Sequence, residues 1–326
     1  METAVERRTV RSTPTRIART AAFAGAALAF ATAAAAEDWH PSRYGAGDTI
    51  GAANLLTPER VKQAAKLVRT GKTYALGVVT GPKTPAYGPR KFNLTVLQLS
   101  DGTGAPLGSN RATGNDDLLY TFMGIGSQLD GLGHMGIDHV YYNGTKAQEF
   151  VTTAGLTKLG THAIPPLVTR GVLLDMTRHF GKDPLDAGTV WNRAEIEAAA
   201  KAQGTALREG DVVLFYTGWL ALAERDAARF MQGEPGLGLD GARYLAARGA
   251  VAIGSDTWGL EVIPFEDAAQ VFPVHPELLA KNGVYILENV DTRELAKDRA
   301  YEFLFVLGQP RFEGAVQAII NPVAIR

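Results

Sequence analysis

The residues best suited to chemistry lie in one glycine-rich stretch, residues 124–134, which reads GIGSQLDGLGH. Gln128 and Asp130 are two positions apart, so their side chains would face the same way in an extended segment. His134 comes four residues after Asp130 and would meet it again if a turn of helix begins there. An amide, a carboxylate and an imidazole can together hold a cation or move a proton. We therefore interpret this stretch as part of a site, with turn capping as the alternative role.

A second group of suitable residues lies later in the chain, where residues 275–289 read HPELLAKNGVYILEN. His275 precedes a short predicted helix, and Glu288 ends the apolar strand that follows. Because a helix–turn–strand unit folds back on itself, these two side chains can come together. A carboxylate that ends a buried strand needs a partner. The alternatives are a helix-capping His275 and a structural ion pair for Glu288.

The two groups together suggest a metal site. Asp130, His275 and Glu288 would offer nitrogen and oxygen ligands with room for water, and a divalent metal in such a site lowers the pKa of water toward neutrality. His134 would then take or give protons near its own pKa. The chain contains no cysteine, so a thiolate nucleophile and a cysteine-type zinc site are excluded. The chemistry implied is hydrolysis.

Composition and charge narrow the class of partner. The 326-residue chain is 46% hydrophobic and 21% charged, with a formal net charge of −1. That is the composition of a soluble globular protein with enough material for a sizeable core. A nucleic-acid partner would require a basic excess that this chain lacks. We expect a small-molecule substrate, and no membrane association once the N-terminal segment described next has been removed.

The first 36 residues have the pattern of a secretory signal peptide. Five arginines precede a short apolar run, and the segment ends in the small residues ATAAAA before Glu37. This order of basic, apolar and small residues is typical of export signals. We expect an exported protein, periplasmic or secreted, whose single mature domain spans residues 37–326. The Arg7–Arg8 pair allows the twin-arginine route, and a disordered basic tail is the alternative.

Helix and strand signals alternate along the mature chain, which predicts an α/β domain. Thr57 followed by Pro58 predicts the start of a helix. Residues 211–219 and 251–258 are predicted to be buried strands that end in polar residues, and ligands of α/β proteins bind at such carboxyl ends. Core packing or structural roles are the alternatives for the polar and aromatic residues near these ends. The candidate substrate-binding residues are Tyr216, Trp219 and Asp256 near these ends, and Asn143, which closely follows the glycine-rich stretch.

The order of these segments resembles the cyclase family of metal-dependent hydrolases. That family includes bacterial kynurenine formamidase (arylformamidase), isatin hydrolase and a trans-dienelactone hydrolase branch. The resemblance covers most of the mature chain, from Gly51 onward. Its most specific part is residues 275–289, with a histidine, a short helix, a Gly-Val pair and a closing Glu-Asn.

The resemblance implies roles for the candidate site residues. The family motif His-x-Gly-Thr-His-x-Asp-x-Pro-x-His aligns with residues 124–134. Asp130 then matches the family's bridging aspartate, and His134 matches the histidine that acts as general acid or base. His275 and Glu288 match the family's later metal ligands.

The chain also departs from the family motif. Gly124 and Gln128 stand where the family has its two leading histidines, and Leu132 stands where it has proline. A glutamine at this point resembles the trans-dienelactone hydrolase branch. An amide oxygen is a weaker and harder ligand than imidazole, so Gln128 should lower zinc affinity and favour manganese. We expect one metal, held by Asp130, His275 and Glu288 with help from Gln128.

The resemblance further implies a cyclase-type α/β fold, with a mixed sheet, a small barrel-like core and flanking helices, assembled as a dimer or tetramer. The implied function is arylformamidase-like hydrolysis of an amide or cyclic ester, dependent on a divalent metal, Zn or Mn. A trans-dienelactone-type lactone hydrolase is the alternative among enzymes, and Gln128 favours it. An exported small-molecule-binding protein with a decayed metal site is the alternative from another class, and it would account for Gly124 and Gln128.

Overall fold

A computed structural model describes residues 39–98 and 106–326. The predicted signal peptide, residues 1–36, lies outside the described residues. The described chain forms seventeen strands: β1 (Thr73–Ala75), β2 (Phe92–Gln98), β3 (Asn115–Thr121), β4 (Gln128–Asp130), β5 (Val140–Tyr141), β6 (Thr145–Lys146), β7 (Val151–Thr152), β8 (Gly155–Leu156), β9 (Leu167–Asp175), β10 (Val190–Trp191), β11 (Val212–Tyr216), β12 (Gly236–Leu237), β13 (Ala252–Ser255), β14 (Tyr285–Glu288), β15 (Glu302–Leu307), β16 (Gln317–Ile319) and β17 (Val323–Ile325).

The helices are short. They are α1 (Pro58–Ala65), α2 (Ala147–Phe150), α3 (Met176–Phe180), α4 (Arg193–Gln203), α5 (Ala221–Arg225), α6 (Ala227–Gln232), α7 (Leu239–Ala247), α8 (Val274–Pro276) and α9 (Arg293–Lys297). Helix α8 continues as a π-helical turn at Glu277–Lys281. Within the described residues, three 3-10 turns are formed by Gly51–Leu55, Tyr142–Gly144 and Thr161–Ala163. No helix in the described ranges is long and apolar enough to cross a bilayer.

One nine-stranded sheet organises the domain, in the order β1-β17-β15-β9-β11-β13-β14-β4-β16. The four central strands β9, β11, β13 and β14 run parallel, and the strands on either side of them are antiparallel. Strand β9 is buried at all but one of its nine positions, as expected for a central strand covered on both faces. The predicted α/β architecture, a mixed sheet with flanking helices, is confirmed.

Local signals place several elements where the sequence predicts them. Thr57 caps α1, because its hydroxyl accepts a hydrogen bond from the backbone N–H of Arg60 at 3.3 Å, and Pro58 occupies the first helical position. Helix α4 begins at Arg193 and ends at Gln203, with Gly204 in the left-handed conformation after it. Such a glycine ends a helix without a steric cost.

Strand β4 is the part of the sheet that matters most for the site. It lies between β14 and β16, and it pairs with both of them in antiparallel register. This register sets Gln128 opposite Glu288 and Asp130 opposite Gln317. The extended conformation predicted for Gln128 and Asp130 is confirmed, and three segments remote in sequence supply neighbouring side chains at one end of the sheet.

Strands β2 and β3 form a separate two-stranded ribbon outside the main sheet. Their apolar side chains do not enter the core. Leu94, Val96, Leu118 and Tyr120 are exposed by 49%, 63%, 60% and 81%. Residues 99–105, between the two strands, lie outside the described ranges.

Candidate metal centre

The centre of the candidate site is the carboxylate of Asp130, which is fully buried. Its Oδ2 atom lies 3.8 Å from Nε2 of His134 and 3.6 Å from Nε2 of His275. Both distances exceed that of a hydrogen bond, and Oδ2 has no hydrogen-bond partner among the residues that the structure describes. Ligand atoms bound to one zinc ion at about 2.0–2.2 Å would themselves be ~3–4 Å apart. The separations observed here therefore suit a shared cation.

His134 reaches this point by a local turn, since its backbone N–H donates to the carbonyl of Gly131 at 3.0 Å. The four-residue spacing suggests a turn of helix between Asp130 and His134; the structure has a tight turn over residues 131–134 instead, and this turn brings His134 back to Asp130. Asp130, His134 and His275 form a group whose ligating atoms all lie within 4.8 Å of one another. The imidazole of His134 is 19% exposed, so it can meet both a cation and a molecule in the adjoining cavity.

Glu261, a residue that the sequence reasoning missed, holds His275 in place. Its Oε1 atom lies 2.5 Å from Nδ1 of His275, and its two oxygens accept hydrogen bonds from the backbone N–H groups of His275 and Val274. A carboxylate on Nδ1 makes that nitrogen the protonated one, which leaves the lone pair of Nε2 free for a metal. Nε2 faces Oε1 of Glu288 at 3.2 Å, so the predicted approach of His275 and Glu288 is confirmed.

Gln128 takes part in the cluster through its amide nitrogen. Nε2 donates to Oε2 of Glu288 at 2.5 Å and to Oδ1 of Asp130 at 3.4 Å. The amide therefore bridges two of the predicted metal ligands. The prediction that its oxygen would ligate the metal stays a prediction.

Burial and neighbouring charges shift the pKa values of the carboxyl groups in this cluster. Burial raises the pKa of Glu288 to about 7, and the nearby Asp130 charge adds to that effect. Burial, followed by the charge of Glu288, raises the pKa of Glu234 well above its usual value. For Asp130, the facing imidazoles of His134 and His275 overcome the effect of burial and lower its pKa to about 2.

These side chains fit a divalent cation. Three buried carboxylates, those of Asp130, Glu261 and Glu288, surround the imidazole of His275, and Asp130 also faces the imidazole of His134. Buried charges without a counter-charge are costly. A cation beside the unpartnered Oδ2 of Asp130 would compensate this excess. The donor set of imidazole nitrogen and carboxylate oxygen suits zinc or manganese.

A cavity of about 320 Å³ adjoins the cluster, a size that suits a small ligand. His134, Gln128, His275 and Glu288 form its floor. Its walls include Tyr87, Arg90, Met135, Trp258 and Phe272. A larger cavity of about 720 Å³ touches Gly126 and Asn289, but none of the imidazoles and carboxylates of the cluster lines it. The smaller cavity is therefore the better candidate for a substrate.

The predicted substrate-binding residues do not line the 320 Å³ cavity. The Asn143 side chain accepts from the backbone N–H of Ser42 at 2.7 Å and donates to three carbonyls, including that of Asp48 at 2.9 Å. It therefore ties together two loops. Trp219 is buried, and its indole N–H donates to the carbonyl of Phe230 at 3.2 Å, so it packs in the interior.

Tyr216 ends β11 and Asp256 directly follows β13, as predicted, but neither residue lines the 320 Å³ cavity. The Tyr216 hydroxyl donates to Asp183 at 3.1 Å. Asp256 is buried and accepts both the backbone N–H and the hydroxyl of Thr217, at 2.8 and 2.6 Å. Burial raises the pKa of Asp256 to about 7. These contacts give both residues structural partners.

Several residues of the site escaped the sequence reasoning. Glu261 had a usable signal, because it is a lone acid in the apolar run LEV, and the argument applied to Glu288 applies equally to it. Gln317 and Arg90 carried no such signal. They come from β16 and from the segment before β2, and only the folded chain brings them to Asp130 and Gly124.

The fold and a histidine–aspartate cluster of this kind define the class to which the chain belongs. The sequence profile of a family described as "Putative cyclase" matches residues 74–262. A crystal structure described as that of a novel cyclase is 31% identical, with a TM-score of 0.80, and the alignment covers 89% of this chain and 99% of the other. The chain belongs to the cyclase family, and the predicted cyclase-type fold is confirmed.

More distant solved structures share the fold. Isatin hydrolase A from Ralstonia solanacearum is 16% identical, with a TM-score of 0.61, and the alignment covers 83% of this chain and 98% of that chain. An isatin hydrolase bound to the product analogue thioisatinate is 19% identical, with a TM-score of 0.57, over 82% and 98% of the two chains. No curated protein sequence matches this chain.

Proposed function

We propose that this protein is a metal-dependent hydrolase of an amide or cyclic ester, arylformamidase-like, in which His134 is the general acid and base. The observation that carries the proposal is the buried, unpartnered Oδ2 of Asp130 between the imidazoles of His134 and His275. Membership of the cyclase family and similarity to structures described as isatin hydrolases support it.

Each residue of the site has a distinct proposed role. Asp130, His275 and Glu288 would hold a divalent cation, and Glu261 keeps Nε2 of His275 directed at it. When bound, such a cation supplies Lewis-acid chemistry, because it lowers the pKa of water and polarises a carbonyl. His134, at the boundary between the cluster and the cavity, accepts a proton from the attacking water and returns it to the leaving group. The rings of Tyr87, Trp258 and Phe272 form an apolar wall on one side of the cavity.

The experiment begins with purification without chelator, followed by measurement of the metal content. Hydrolysis of N-formylkynurenine, isatin and a dienelactone is then followed with added zinc or manganese. We expect a bound divalent metal and turnover of at least one substrate. Turnover of the dienelactone alone would identify the lactone hydrolase. Tight ligand binding without turnover would identify a binding protein, and a metal-free protein that still hydrolyses substrate would contradict the proposal.

The role of His134 needs a separate variant, because this imidazole is close enough to Asp130 to ligate the metal as well. In His134→Ala we expect metal binding to be retained and hydrolysis to fall by about 100-fold or more, the usual contribution of a general acid or base. The matched control is His179→Ala, on α3 and outside the cavity. Loss of the metal from His134→Ala would make His134 a ligand instead.

Two further predictions belong to the protein as a whole. We propose that residues 1–36 direct export, which N-terminal sequencing of the mature protein would test. We also propose that the domain assembles as a dimer or tetramer, which light scattering would measure. Retention of residues 1–36 in the exported protein, or a monomer at micromolar concentration, would contradict them.

A further inference from the structure

The place of the family's first histidine is filled in this protein by side chains from elsewhere. A β-carbon added at Gly124 would lie 2.6 Å from Oε1 of Gln317 and 2.8 Å from Nη1 of Arg90. Those distances are shorter than any ordinary van der Waals contact. The amide of Gln317 and the guanidinium of Arg90 can therefore occupy this space only because residue 124 is a glycine.

Both incoming side chains are anchored. Nε2 of Gln317 donates to Oδ1 of Asp130 at 2.7 Å, so this amide supports the carboxylate at the centre of the site. Nη1 of Arg90 donates to the carbonyl of Gly124 at 2.7 Å. The same glycine thus provides both the space for the guanidinium and its acceptor.

Most of the hydrogen-bonding capacity of Arg90 is unused. A guanidinium has five N–H donors, and within residues 39–98 and 106–326 the carbonyl of Gly124 is its one hydrogen-bond acceptor. No carboxylate in those ranges forms an ion pair with it.

The unused donors lie beside a wall of aromatic rings. Arg90 lines the 320 Å³ cavity together with Tyr87, Trp258 and Phe272. Tyr87 stacks on Trp258, with ring centroids 5.5 Å apart and planes 15° from parallel, and the guanidinium carbon of Arg90 lies 6.0 Å from the centroid of Tyr87. A flat apolar wall favours a planar ring, and a forked guanidinium favours a carboxylate.

We propose that Arg90 is a substrate-binding residue whose guanidinium, seated in the space left by Gly124, binds the carboxylate of an aromatic substrate or product. The proposal rests on the proposed hydrolytic function of the same cavity. It narrows the substrate class from amides and cyclic esters in general to those that carry, or release on hydrolysis, a carboxylate on or next to an aromatic ring. On this proposal, the glycine at position 124 makes room for a guanidinium in place of an imidazole, and it is not a sign that the site has decayed.

The test compares benzoate with benzamide, two ligands of nearly the same shape and different charge. Calorimetric titration of the protein as purified, with its metal content measured in parallel, gives the ratio of the two affinities. We expect the wild type to bind benzoate about tenfold to 100-fold more tightly than benzamide, as charged hydrogen bonds of this kind allow. Arg90→Met should remove that preference, and Arg90→Lys should keep part of it, because an ammonium group lacks the fork.

A second variant displaces the guanidinium of Arg90 without removing its charge. Gly124→Ala forces the ends of two flexible side chains, Arg90 and Gln317, to move, so the fold should tolerate it while the preference for benzoate falls. Lys91→Met is the matched control, since it removes an exposed positive charge next in sequence to Arg90. It should leave the preference unchanged.

The outcomes separate this proposal from the proposed function. An Arg90→Met protein with unchanged metal content and an unchanged preference for benzoate would overturn the role of Arg90, because the metal would then account for the preference. If Arg90→Met does not fold, Gly124→Ala decides the question in the same way. Absence of metal and turnover in the wild type would refute the hydrolase, whereas the benzoate-to-benzamide ratio would still report on Arg90.

Discussion

The two halves of the candidate metal centre were built differently. The later half, His275 and Glu288 with Glu261 behind them, keeps the residues expected for the family and joins them by hydrogen bonds of 2.5–3.2 Å. The earlier half, residues 124–134, keeps Asp130 and His134 but has lost both leading imidazoles. Arg90 and Gln317 fill the first of those positions, and Gln128 fills the second with a bridge to Glu288.

This difference shows that a substitution in a ligand motif has to be judged by what occupies the vacated space. In a decayed site, the lost histidines would leave empty space beside Asp130, whereas the side chains of Arg90, Gln317 and Gln128 fill that space. Here Oδ1 of Asp130 has an amide partner and Oδ2 remains directed at two imidazoles. In the proposed site, the earlier half has an amide support and a cationic wall in place of two imidazoles, while the later half keeps the residues proposed as metal ligands.

The largest effect on metal affinity is expected when either half of the centre loses a carboxylate. Asp130→Ala removes a carboxylate of the earlier half, and Glu288→Ala removes one of the later half. If the halves form one site, each variant should bind zinc or manganese about 100-fold or more weakly than the wild type, as measured by calorimetry. Asp116→Ala, on the exposed ribbon strand β3, is the control. Full metal binding by either site variant would show that the halves work separately.

A smaller loss of metal affinity should follow when His275, in the later half, loses the charged partner that orients it. Glu261→Gln keeps the size of the side chain but removes the charge that orients His275, so metal affinity should fall by about 10-fold to 100-fold. Glu266→Gln is the matched control, because this exposed glutamate accepts hydrogen bonds from Asn192 and Leu239 and not from the site. Equal affinities for the two variants would mean that packing alone positions the imidazole.

The smallest effect is expected from restoring one residue of the family motif in the earlier half. Gln128→His replaces an amide by an imidazole, which zinc prefers, so the ratio of zinc to manganese affinity should rise by about tenfold. Gln270→His, an exposed replacement of the same kind, should leave the ratio unchanged. A lower zinc affinity in Gln128→His would show that the amide bridge to Glu288 matters more than the type of ligand.

The candidate site was predictable in part. The spacing of Gln128, Asp130 and His134 follows from strand and turn geometry, and both features are found in the structure. Glu288 was recognisable as a buried acid that needs a partner. The predicted substrate-binding residues do not line the 320 Å³ cavity. Polar and aromatic residues occur at strand ends whether or not a ligand binds there, so the sequence could not tell the two cases apart. Trp219 accordingly packs in the interior, while Trp258, not singled out, lines the cavity.

By itself, the sequence determined the alternation of helices and strands, the two chemically suited segments and the absence of thiol chemistry. These depend on local propensity, periodicity and residue type. The antiparallel insertion of β4 between β14 and β16 was decided by the tertiary structure alone. That register brings Gln317 to Asp130, and the path of the chain before β2 brings Arg90 to Gly124. Such contacts depend on which surfaces pack together over long separations in sequence, and no local pattern encodes them.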